Sequence, residues 1–200
     1  MIKFNGILHQ SAMLLSDLVS PPVVAAVFGF LVAWKEQPSW TGFGYALIYA
    51  FWMCLVPLGV VIFLAKTGRI HDLHMSNSPE ERRIPYLIGF ACALAAFLTF
   101  TFWLDSPLLR TLAVSNIIVL AVLGLINNHW LISSHSASIM LVAVFCAYVF
   151  GLQAMFWCLL LVGLVVWARW LLQKHTPSQL VAGMLVGALS VLVLATFGWF

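Results

Sequence analysis

Apolar residues in this chain come in long runs separated by three short polar stretches, with little polar alternation inside the runs. In hydrocarbon a backbone must satisfy its own hydrogen bonds, so such runs become helices of about 20 residues per crossing. Residues 7–19 differ: Ile7, Leu8, Leu14 and Leu15 sit among polar positions and predict a helix lying in the membrane interface. Spans are then predicted at 21–35, 41–65, 85–104, 110–127, 138–151, 153–168 and 180–199. Pro21–Pro22 and Pro85 open two of them, in keeping with the tolerance of a first helical turn for a missing amide. Gly151 and Gln153 supply the tight turn between the fifth and sixth of the later spans. The first span is short, so the count is six or seven. The expected fold is an all-α, polytopic membrane helical bundle forming one domain over residues 1–200.

The polar stretches run from Lys66 to Ile84, from Asn127 to Ser138 and from Arg169 to Gln179. Two predicted spans separate each from the next, and an even number of crossings returns the chain to the same side. All three therefore share one face of the membrane, whatever the short first span does.

Composition agrees with this pattern. Hydrophobic residues make up 64% and charged residues 8%, far below the roughly 25% charge of soluble domains. The net charge of +3 is small and scattered, which excludes a nucleic-acid surface. Cys54, Cys92, Cys146 and Cys158 all fall within apolar runs and show no Cys-x-x-Cys spacing, so they read as small buried hydrophobes. The first apolar run has no small-residue cleavage pattern behind it, and no cleavable signal peptide is expected.

Chemistry can reside only in the polar stretches. The third holds Arg169, His175 and Thr176-Pro177-Ser178-Gln179, whose last four residues form a capping box at a helix start. The second holds Ser133-Ser134-His135-Ser136, which alone is an N-cap cluster with a headgroup-level histidine. The first holds Glu80, Glu81, Arg82, Arg83 and Pro85, which alone is a solvated charge run. Its His71, Asp72 and His74, taken with Glu80 and Glu81, offer metal-type donors but match no ligand pattern, so no metal is expected.

Taken together, these stretches resemble the type 2 phosphatidic acid phosphatase (vanadium haloperoxidase-like) superfamily, whose motifs run Lys-x6-Arg-Pro, Pro-Ser-Gly-His and Ser-Arg-x5-His-x3-Asp. Ala168-Arg169-x5-His175-x3-Gln179 reproduces the third in spacing and in its place at a helix entrance. Ile132-Ser133-Ser134-His135 keeps the Ser and His of the second but loses its Pro and Gly. The first is loose: Arg83 stands one residue further from Pro85, with no Lys seven positions before either arginine. The likeness spans roughly residues 66–190.

The resemblance implies a membrane phosphatase acting on a lipid or prenyl (di)phosphate without metal or cofactor. His175 would attack phosphorus to give a phosphohistidine, and His135 would protonate the leaving oxygen and later activate water. Arg169, Arg83 or Arg82, and Ser133 would hold the nonbridging oxygens. Gln179 stands where the family has the aspartate that orients the nucleophile, and it brings no charge; Lys66 or Arg69 would have to replace the missing lysine.

These departures keep a second reading in view, a catalytically degenerate relative serving as a noncatalytic subunit of a larger membrane complex. A transporter ranks lower because no span carries a charge at mid-membrane depth. Expected partners are membrane lipids and a lipid-phosphate substrate. If the first span crosses, Lys3, Lys66, Arg69, Arg82, Arg83, Arg169 and Lys174 share the motif face, with Lys35 and Arg110 opposite. By the positive-inside rule that balance leans toward a cytoplasmic site in a bacterial inner membrane, although part of it is the proposed phosphate site itself.

Overall fold

The computed structural model describes residues 6–69, 79–127 and 129–200; for residues 79–81 it describes the backbone only. Those residues form helices and the turns between them, with no strand among them. The candidate metal-ligating residues His71, Asp72 and His74, and the side chains of Glu80 and Glu81, lie outside this description.

Helix α1 (Gly6–Leu18) and helix α2 (Pro21–Glu36) meet at a bend of 53°, where Pro21 and Pro22 deny α1 any further amide donors. Helix α3 (Trp40–Ala50) runs through one π-helical turn (Phe51–Leu55) into α4 (Val56–Lys66), and the three together make a 27-residue span. Pro57 explains the π turn: its nitrogen cannot donate to the preceding turn, and the Val56 amide instead reaches back to Phe51.

Helix α5 is Pro79–Phe102, so it begins six residues before the predicted start at Pro85. Pro79 suits a first helical position, and Glu80 and Glu81 are first-turn residue types, so an earlier start is available to the chain. Pro85 is consequently inside the helix. The remaining helices are α6 (Pro107–Ile126), α7 (Ser134–Val149), α8 (Leu152–Leu171) and α9 (Pro177–Thr196). Gly151, at φ 92°, makes the α7–α8 turn in a conformation that disfavours other residues.

Among the described residues, five helices are long and apolar enough to cross a membrane, counting α3 to α4 as one, and the bent α1–α2 pair would make a sixth. The 16-residue α7 is shorter. It is apolar all round because it is the buried helix, packed between α8 and α9 and touching α2 and α6. Gly183 and Gly187 of α9 lie on it so closely that a Cβ on Gly187 would run into the Ala137 carbonyl. This chain is a polytopic helical bundle whose helices are compatible with an integral membrane protein.

Candidate functional site

The three polar stretches meet at one cavity of about 360 Å³. Its polar end is lined by Ser16 and Asp17 of α1, Arg82 of α5, Ser134, His135 and Ser138 of α7, Arg169 of α8 and His175 from the α8–α9 loop. Ser20 and Tyr86 also line it, and the rest of the wall is mostly apolar: Ala25, Met53, Pro57, Leu58, Val61, Gly89, Val119, Leu120 and Leu123, with Asn116.

His175 sits just before α9, whose start is fixed by the capping box: the Thr176 hydroxyl accepts from the Gln179 amide, and the Thr176 amide donates to Gln179 Oε1 at 2.9 Å. The His175 ring is buried, with Nδ1 3.1 Å from the Leu131 carbonyl and Nε2 3.3 Å from Arg169 Nη2. A guanidinium can only donate, so Nε2 is the acceptor and Nδ1 carries the proton given to Leu131. Burial first, and then the positive charges of Arg169 and Arg82, pull the His175 pKa down to about 3. The ring is therefore neutral near pH 7, with the Nε2 lone pair accepting from Arg169.

Arg169 is 3% exposed; its Nη1 donates to Ser16 Oγ at 2.9 Å, and among the described residues its buried Nε has no partner. His135 stands in the first turn of α7, its Nδ1 buried and likewise without a partner among the described residues. Buried donors and acceptors of this kind, converging on a cavity with two arginines, are suited to an anion bearing several oxygens.

Of the residues singled out from sequence, Arg82, His135, Arg169 and His175 line this cavity. Arg83 is exposed and does not line it; of the two neighbouring arginines, Arg82 is the one brought in. Ser133 is fully buried and caps α7, accepting from the Ser136 amide at 3.3 Å; Ser134 and Ser138 reach the cavity instead. Lys66 and Arg69 are exposed at the end of α4 and outside the lining. Gln179 spends its Oε1 on the helix cap while still favouring the protonated form of His175, and the Leu131 carbonyl holds the ring's Nδ1.

Sequence reasoning did not find Ser16, Asp17 or the Leu131 carbonyl. A carbonyl has no residue-type signature. Ser16 and Asp17 lie more than a hundred residues before His135, in a helix read only as an interfacial approach.

Residues 126–200 match the family model of the PAP2 superfamily. The match covers well under half of the chain, and it contains the Ser-Ser-His segment, Arg169 and His175 on whose spacing the resemblance rests. The matched segment carries Leu131, His135, Arg169 and His175, whereas α1 and Arg82 precede it. Comparison with curated proteins and with solved structures gives no match.

Proposed function

We propose that this protein is an integral membrane phosphatase that hydrolyses a lipid or prenyl phosphate through a phosphohistidine at His175. One observation carries the reading: a single cavity has two arginines and two histidines at its polar end and an apolar slot behind them, the outline of a phosphate joined to a hydrocarbon tail.

In the first step Arg169 Nη2 passes its hydrogen bond from His175 Nε2 to a phosphate oxygen, and the freed Nε2 lone pair bonds to phosphorus as the P–O bond to the alcohol breaks. His135, entering this step protonated, gives its proton to the departing oxygen. The ring becomes cationic as the P–N bond forms, and its Nδ1 proton stays bonded to the Leu131 carbonyl. In the second step water loses a proton to His135 and bonds to phosphorus, and the P–N bond breaks to restore neutral His175 and free phosphate. Arg169 and Arg82 neutralise charge on the equatorial oxygens in both steps, in a site already built around them. Burial first, and then the neighbouring cations, keep the histidines neutral in the free protein; the incoming dianion offsets the second cause, so protonated His135 belongs to the substrate complex.

The motif face carries most of the basic residues, and we assign it to the cytoplasmic side of a bacterial-type plasma membrane. Purified protein in detergent should release phosphate from a lipid phosphate in the presence of a chelator, and vanadate should block it. His175→Ala should abolish turnover; full turnover in that variant would remove the nucleophile assignment. Absence of release from every lipid phosphate, with partners copurifying in fixed ratio, would favour a noncatalytic subunit instead.

A further inference from the structure

The PAP2 match begins at residue 126, yet the arginine at the centre of the site is held from the other end of the chain. Ser16 is 2% exposed, and its hydroxyl accepts from Arg169 Nη1 at 2.9 Å. The same residue's backbone lies beside His135 and favours that ring's protonated form. The geometry of the α1 terminus allows this second contact. The chain leaves the helix by Val19 N–H to the Leu15 carbonyl and Ser20 N–H to the Asp17 carbonyl, so the Ser16 carbonyl lies between them among the last turn's free acceptors. Asp17, next along, lines the cavity and supports the charge of Arg169.

The placement is not incidental to α1's packing. Ala12 and Ser16 are the helix's two buried positions, one turn apart on one face. Ala12 packs against Ala168 and Leu171 of α8, flanked by Leu15 and Leu172. The contact that seats α1 on α8 therefore sets Ser16 beside Arg169, the residue following Ala168.

We propose that Ser16 is a positioning residue of the phosphate site, fixing the Arg169 guanidinium and the His135 ring relative to each other, so that α1 is part of the catalytic unit. This rests on the phosphatase reading above. With Nη1 anchored on Ser16, the guanidinium keeps Nη2 beside the nucleophile before substrate arrives. Donors already aimed at developing charge need no rearrangement in the transition state, and that is where the benefit should appear.

The test uses full-length protein carrying Ser16→Ala, Ser16→Thr, Arg169→Lys and the Ser16→Ala/Arg169→Lys pair. Turnover of a lipid phosphate and inhibition by vanadate, which imitates the five-coordinate transition state, are measured for each. Ser16→Ala should lower kcat and weaken vanadate inhibition by about tenfold each, with KM moved by about twofold or less. Ser16→Thr should restore both. In the Arg169→Lys background, Ser16→Ala should cost about twofold or less, because the interaction it removes is already gone. Leu14→Ala, on the exposed side of α1 away from that contact, should leave kcat and vanadate inhibition near those of the unmodified protein.

Unchanged kcat and vanadate inhibition in Ser16→Ala, or an equal loss in the Arg169→Lys background, would overturn the proposal. If Ser16→Ala does not fold, Ser16→Cys keeps the volume with a weaker acceptor and carries the same expectations. If the unmodified protein hydrolyses no lipid phosphate, the function reading fails. Vanadate binding followed by tryptophan fluorescence then decides Ser16 separately: weakened binding in the variant supports the positioning role, and unchanged binding removes it.

Discussion

Successive residues of an α-helix point about 100° apart, and that angle decides which of two adjacent arginines meets the cavity. With α5 starting at Pro79, Arg82 turns inward and is 5% exposed, while Arg83 turns outward. Arg82→Ala should lower kcat/KM for a lipid phosphate by about a hundredfold or more, as for loss of one charge-stabilising donor, while Arg83→Ala should stay within about twofold. Equal losses in steady-state assays of the two variants would contradict the placement. His175 allows a second residue-scale test. Its folded-state pKa of about 3 lies below the ordinary histidine value near 6.5. Between those values the unfolded chain binds a proton that the folded chain refuses, so the contribution is complete above about pH 6.5. It declines as pH falls, by up to about tenfold in the folding equilibrium per pH unit. Thermal midpoints in detergent at pH 7 and pH 4.5 should therefore drop further for the unmodified protein than for His175→Gln; parallel drops would show that the ring is not held neutral.

At the scale of the element, the apolar runs and the parity of crossings were legible because both follow from hydrocarbon as a solvent. They correctly brought residues from all three polar stretches to one cavity. The phase of each helix was not legible. Reading Pro85 as a helix start left Arg82 and Arg83 equivalent, and reading α7 as starting after His135 left Ser133 free to bind phosphate when it is the helix cap. The fixed positions of His135 and His175 also rest on packing that the pattern alone does not show. Gly183 and Gly187 let α9 approach α7 until a Cβ at Gly183 would strike the Ser136 hydroxyl and the Ser133 carbonyl, one and two residues from His135. Gly187→Leu should destabilise the bundle by about 1–3 kcal/mol through overpacking. Gly183→Ala should lower turnover by more than it lowers the thermal midpoint would suggest, because its clash falls on the cap of α7. Measured midpoints and kcat values unaffected by both changes would mean that the two helices do not meet along this seam.

For the molecule as a whole, the site is the polar mouth of an apolar slot, built between α2, the π turn with α4, α5 and α6. Along α6 the lining runs from Leu123 to Asn116, about 10 Å of helix. At the deep end the Asn116 side chain donates to the Tyr49 hydroxyl at 3.2 Å and to the Leu112 carbonyl at 2.9 Å, closing the slot with a satisfied polar pair. A substrate tail lying in this slot would leave water and touch apolar walls over its whole length, whereas a soluble phosphate ester would use only the mouth. Leu120→Trp adds bulk part-way down, away from both histidines. It should raise KM for a long-chain lipid phosphate by about tenfold, from the loss of buried apolar contact, and leave turnover of a short, soluble phosphate ester unchanged. A matching loss for both substrates would indicate damage to the mouth, and no loss for either would place the tail outside the slot. The selective loss alone ties the apolar half of the cavity to the substrate, because only a tail shared between mouth and slot makes the wall at Leu120 visible to the chemistry at His175.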